Sequence, residues 1–226
     1  WSDGLPIVPP TEARVSEILR GTDVDRHHVL GKLLPRGGVT TVESVAVAAA
    51  MSGCRPEYLP VLLAAVEAIL DPVVYHEHMQ STPGNACPAV VVNGPIARQI
   101  RVNSGYGCLG PSSVYPAGAS IGRAIRLLLM NVGGAIPGTA SMSIHGGPAR
   151  HTGLVFAEDE SGLPPGWLSL SAERGLKPGT NAVTVLAISG TTEVWEGAAL
   201  NDKDALDTLF DFAGSVQDPD AEVAEV

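Results

Sequence analysis

Aromatic residues are scarce, at 4% of the 226-residue chain, and charged residues make up only 17%. Packing therefore falls to Ala, Val and Leu, while 26 glycines and 18 prolines turn the chain. Positive charge is also short: 14 Lys and Arg stand against 24 Asp and Glu, a net charge of -10. Without a basic stripe the chain has no footprint for a broad nucleic-acid surface. Only three cysteines occur, Cys54, Cys87 and Cys108. Three is odd and no CxxC pair exists, which argues against a disulfide scaffold and for a reducing, cytoplasmic compartment. Long apolar runs are missing too. The longest, around Leu59 to Leu70, is broken by Glu67 and is too short to span a bilayer. No signal peptide is visible, and no membrane association is expected.

What is present is enough apolar sequence, 45%, to bury a substantial core. The opening WSDGLPIVPPT is too proline-rich to be helical throughout and reads as an extended arm over residues 1–11. Thr11 caps a short helix, EARVSEILRG, closed by Gly21. DRHHVLGKLLPRGG starts polar, with His27-His28 in a solvated turn, and ends in a turn. TVESVAVAAAM is helical, with Thr41 as its cap, and Ser52-Gly53 stops it. A second apolar helix starts near Pro56, so the pair reads as a buried αα-hairpin with Cys54 in its turn.

PVVYHEHM is a candidate short strand, and CPAVVVNGPI a stronger one, ended by Asn-Gly-Pro. The glycine-rich VNSGYGCLGPSSVYPAGAS is long for a loop and leads into the helix ASIGRAIRLLLMN. TGLVFAED and NAVTVLAISGTTEVW read as strands, and DKDALDTLFDFAG as an amphipathic helix from Asp202 to Gly214. The expected fold is α/β, with α+β as the alternative: a small mixed sheet packed with at least four helices. It forms a single globular domain over 1–214, and DPDAEVAEV belongs to an acidic tail or linker over 215–226.

WSDGLPIVPPT, GCRPEYLPVLLAAVEAI, VNGPI and ASIGRAIRLLLMNVGG together resemble a bacterial family found beside, or fused to, small UGSC- or CGSC-motif (seleno)proteins. The likeness covers most of residues 1–200. It implies a two-component enzyme, in homo- or hetero-oligomeric form, with a thiol- or selenol-bearing partner protein or fused domain. The chain itself carries no UGSC or CGSC motif. Where the pattern has Asn ahead of IGRA, this chain reads Ala117-Gly118-Ala119.

Among candidate site residues Cys54 comes first. A helix N-terminus and the neighbouring Arg55 would favour its thiolate, with Glu57 beside them; no histidine lies within ten residues, so the base, His145 or else His76 or His151, would have to arrive through the fold. The alternative is a small buried residue in a helix corner, with Arg55 paired to Glu57. The glycine loop, through Asn103, Gly105, Gly107 and Gly110, suggests close backbone approach to an anion, with Arg123 and Arg126 in the following helix to pair it. It is neither a phosphate-binding P-loop nor a dinucleotide fingerprint, and no cofactor is expected. Asn93 and Asn131 stand at element ends, where Asn turns the chain or orients a carbonyl. His76 and His78 would share a face on a strand, as a metal-dependent hydrolase would need, but no third ligand has suitable spacing and no metal is expected. His151 joins His145 beside GGPAR as an acid-base candidate, while Glu158 and Glu160 after a strand read as solvated acids.

The expected function is an enzyme, or its larger subunit, acting on a small polar or anionic metabolite through Cys54, by bond cleavage or thiol redox chemistry. The alternatives are a non-catalytic partner subunit of a UGSC-type protein and the metal-dependent hydrolase.

Overall fold

The computed structural model describes residues 1–191. Within it, Trp1–Gly190 form one compact unit. The expected helix from Asp202 to Gly214 and the acidic tail lie outside the described residues.

An extended arm leads to α1 (Glu12–Leu19), where the Thr11 side chain accepts from the Arg14 N–H as expected of a cap. Strands β1 (Val29–Leu33) and β2 (Gly38–Thr41) form an antiparallel hairpin. Thr41 then caps α2 (Val42–Met51) through a reciprocal pair of bonds with Ser44. A 3-10 turn at Pro56–Tyr58 enters α3 (Leu59–Leu70), which completes the expected αα-hairpin. Both helices are apolar nearly all round because both are buried in the core with α6 (Ala117–Asn131).

PVVYHEHM is not a strand. It forms a 3-10 turn at Pro72–Val74 and a short helix α4 (His76–Ser81), with Tyr75 left-handed between them at φ 49°. Strand β3 (Cys87–Asn93) is central in the three-stranded sheet, flanked by β4 (Leu154–Ala157) in parallel and β5 (Ala182–Ile188) antiparallel. All seven β3 residues are buried, as its continuous apolar run requires. Val90 and Val92 face the core with the helices, so Ala89, Val91 and Asn93 alternate to the other face. Pro88 is tolerated because β4 pairs only from Ala89 onward, so one side of Pro88 has no ladder to feed.

The remaining helices α5 (Pro95–Gln99), α7 (Pro148–Thr152) and α8 (Leu170–Glu173) are short. The fold is therefore α/β with a small mixed sheet and several helices, as the sequence predicts. Helix α6 lies close to the start of β4: a Cβ on Gly118 would sit 2.5 Å from the Val155 carbonyl, and one on Gly122 3.0 Å from that of Thr152. Among the described residues no single helix is long and apolar enough to cross a membrane.

Candidate functional site

Strands β3 and β4 run parallel, so their carboxyl ends lie side by side, where α/β sheets most often place ligands. A cleft of about 420 Å³ opens there. Its walls include Gly94 and Arg98 after β3, Ser104 at the start of the glycine loop, and Glu158, Asp159 and Glu160 after β4.

Asn93, wholly buried at the last position of β3, organises the acids. Its Nδ2 donates to Glu158 Oε2 at 2.5 Å and to Glu160 Oε1 at 3.0 Å. The Gly94 N–H adds a second donor to Glu160 Oε1 at 2.6 Å, and the Leu170 N–H one to Glu158 Oε2 at 2.9 Å. One oxygen of each carboxylate is thus fixed by the fold. The other oxygen of each has no hydrogen-bond partner among the described residues, and both glutamates line the cleft. The Asn93 Oδ1 is itself buried and unpartnered. An amide that joins two carboxylates in a strand-end cleft holds a geometry suited to proton transfer and to binding donor groups.

The structure does not give Cys54 the setting expected of a nucleophile. Cys54 is fully buried and lies between two ends: it follows the C-terminal end of α2 and directly precedes Arg55, the N-cap of the 3-10 turn at Pro56–Tyr58. Gly53, at φ 76°, donates to the Ala50 carbonyl and Cys54 to that of Ala49, which is a Schellman closure. The sulfur lies 3.3 Å from the Ser52 hydroxyl. Burial pushes its thiol up to about 12, against the smaller opposing effects of Ser52 and Arg14. Arg55 is exposed, and the guanidinium that reaches this corner is Arg14, 2.7 Å from the Cys54 carbonyl. Glu57 forms no ion pair with Arg55 among the described residues. His145 is exposed in the loop before α7, so nothing brings it to Cys54.

The glycine loop is bonded to itself. Asn103 accepts from the Gly105 N–H and donates to the Tyr106 carbonyl, and the Gly110 N–H turns to Gly107. These groups shape a turn rather than an open anion cradle. Arg123 is spent on the N-terminal arm: it clamps Asp3 through Nε and Nη2, at 3.0 and 2.8 Å, and donates to the Pro6 carbonyl. Asn131 holds the Trp1 carbonyl at 2.9 Å. Both positions anchor the arm, and Arg123 also lines a pocket of about 170 Å³ together with Gly110 of the glycine loop.

His76 and His78 are on a helix, where alternate residues diverge. His76 Nε2 accepts from the Leu34 N–H, and His78 stacks on Tyr75. Among the described residues no cluster of His, Cys, Asp and Glu is arranged to hold a metal ion. Of the expected site residues, Asn93 bonds the acids of this cleft, and Asn103, between the lining residues Val102 and Ser104, accepts from the Ala157 N–H in its wall. Glu158 and Glu160, read from sequence as solvated, are the partners of Asn93; their signal was their place immediately after a strand.

No family model, curated protein or solved structure matches the chain. The assignment of the site therefore rests on its own geometry.

Proposed function

We propose that the chain is the substrate-binding subunit of a two-component enzyme, and that it holds a small polar metabolite in the cleft at the ends of β3 and β4. The observation that supports this is the Asn93 amide joining Glu158 and Glu160. In this reading the two carboxylates move protons to and from the bound molecule, and Arg98 meets a negative end of it. One arginine against three acids gives this wall an acidic balance, so the preferred ligand brings hydroxyl or ammonium donors.

The resemblance to the UGSC-associated family supplies the second component. Cys54 and Cys87 are both buried, so the reactive sulfur or selenium is better drawn from a UGSC-type partner than from either of them. All three cysteines are free, in keeping with a cytoplasmic setting.

The experiment is to combine this chain with a UGSC-motif partner, assay bond cleavage and thiol redox turnover across small hydroxy and amino acids, and repeat it with Glu158→Gln, Glu160→Gln and Cys54→Ala. The reading requires turnover to fall about a hundredfold or more in the glutamate variants and to persist in Cys54→Ala. Turnover that needs Cys54 but neither glutamate would overturn it.

A further inference from the structure

Arg123 and Arg126 lie less than one turn apart on α6 and meet opposite fates. Arg123 has a carboxylate partner in Asp3. Arg126 is more deeply buried, at 4% exposure, and has no carboxylate within ion-pair distance among the described residues. Its guanidinium makes one long hydrogen bond, from Nη1 to the Ala135 carbonyl at 3.3 Å. Arg150, equally buried, adds like charge nearby, and its own donors are used on Gly84, Ala86, Gln80 and Ser141. A guanidinium stays charged in proteins, and a buried charge without a counter-ion is costly.

Arg126 borders a pocket of about 360 Å³ between α6 and the N-terminal arm. Ser2 and Leu5 of the arm form part of the wall, with Met130, Pro137 and Thr152 completing it. The Arg126 nitrogens without a protein partner are not sealed in the interior, so they are available to an occupant of this pocket.

We infer that this pocket binds a small monocarboxylate, gripped by the Arg126 guanidinium beneath the arm. Charge sets the class. Asp3 also lines the pocket, but Arg123 neutralises it, which leaves Arg126 as the cation in the pocket wall to be met, while the Arg150 guanidinium nearby has its donors taken by protein carbonyls and Ser141. A dianion such as phosphate would carry excess charge toward the Asp3 carboxylate. The planar fork of arginine matches a carboxylate bidentately, and Leu5, Met130 and Pro137 suit a short apolar body. The arm is already tethered as a cover by Asp3 to Arg123, by the Trp1 carbonyl to Asn131, and by the Val8 N–H to the Met51 carbonyl. This site is independent of the strand-end cleft.

The test is the melting temperature of the chain titrated with propionate, against chloride and inorganic phosphate at matched ionic strength. Wild type should show a saturable rise with propionate that chloride does not produce. Arg126→Met should lose it, and Arg126→Lys, which keeps charge without the fork, should need roughly tenfold more propionate. Glu160→Gln, in the other cleft, should respond like wild type, so a failure there is separable from a failure here. Equal responses to propionate and chloride would sink the proposal. So would a propionate response that persists in Arg126→Met, or in Arg126→Lys at full strength should the Met variant not fold. An Arg126-dependent preference for phosphate would overturn the monocarboxylate assignment.

Discussion

At the Cys54 corner the polar groups are consumed within the chain: Gly53 and Cys54 close α2, Arg14 takes the Cys54 carbonyl, and the Tyr58 N–H donates to the Arg55 carbonyl. At the carboxyl ends of β3 and β4 the same kinds of group are only half used. Asn93 and two backbone N–H groups fix one oxygen of Glu158 and one of Glu160, and the other of each has no partner among the described residues. Both places sit where an element ends, so chain position alone does not distinguish a joint from a site. The distinction is whether satisfying the backbone leaves polar capacity facing open space.

The sharpest way to break that contrast is the thiol itself. An ordinary thiol titrates near 9.0, whereas Cys54 is pushed up to about 12 by burial. Its thiolate at neutral pH is therefore about a thousandfold rarer than that of a free cysteine, and native-state alkylation should be slower by at least that factor. The shift also has a stability consequence. Because the folded value is the higher one, the contribution is complete below pH 9 and is lost as pH rises from 9 toward 12, by up to ~4 kcal/mol. Cys54→Ala should flatten that part of the pH–stability curve. A fast, Cys54-directed alkylation in the folded protein would restore the nucleophile reading.

Next in size is the cleft. Asn93→Asp puts a third carboxylate, wholly buried, against Glu158 and Glu160, and should destabilise the fold by ~3 kcal/mol in denaturant unfolding. Asn93→Ala removes the bridge without adding charge and should cost less, ~1–2 kcal/mol. In the Glu160→Gln background the penalty of Asn93→Asp should shrink, and the difference measures the coupling directly. Equal costs for the two Asn93 substitutions would mean that this side chain fills space and does not organise the acids.

These contrasts also show which parts of the molecule were legible in the sequence. The caps at Thr11 and Thr41, the central strand ended by Asn93-Gly94 and the IGRA helix follow from local rules, and local rules delivered them. The SGCRPE stretch misleads because one short segment both stops a helix and starts the next. Its glycine, at φ 76°, ties the Cys54 N–H into the closure of α2, while the next turn is entered one residue later, from Arg55. The β1–β2 hairpin escapes because Gly31 breaks its register and its strands lack clean alternation. PVVYHEHM has β-branched residues in front, yet Pro72 and a left-handed Tyr75 turn it into helix. Glu158 and Glu160 are 65 and 67 positions from Asn93, and Arg123 is 120 from Asp3. No local pattern carries such pairings, so the sequence offers the acids and arginines without saying which are spent.

The arm provides a smaller test of that division between spent and unspent arginines. Arg123→Met should release Asp3 and lower stability by ~1 kcal/mol, because the pair remains partly wet. The Arg123 guanidinium holds Asp3 down to about 2 from its ordinary 3.8. A lowered acid stabilises above its unfolded value, so the arm's contribution is present above pH 3.8 and disappears as pH falls through about 2. Proteolysis within residues 1–11 should accelerate over the same acid range in wild type and at neutral pH in Arg123→Met.

The smallest effect expected concerns His76, and it separates a buried imidazole from a ligand. Burial lowers His76 below its ordinary 6.5, chiefly by penalising the charged ring, while Glu77 and nearby backbone groups oppose the shift. The neutral Nε2 accepts the Leu34 N–H where β1 ends, so protonation would remove the acceptor that ties α4 to the hairpin. The unfolded chain takes up the proton first as pH falls. Stability is thus full above pH 6.5 and declines as pH drops through the lowered folded value, by ~1 kcal/mol or less, the worth of one hydrogen bond. His76→Gln keeps a side-chain acceptor and no titrating ring, so its stability should lose this slope while His78→Gln, stacked at the surface on Tyr75, keeps it. Identical slopes in the two variants would show that the hairpin contact does not depend on the charge of His76, and added zinc should leave both unchanged, since these rings diverge along a helix rather than converge on an ion.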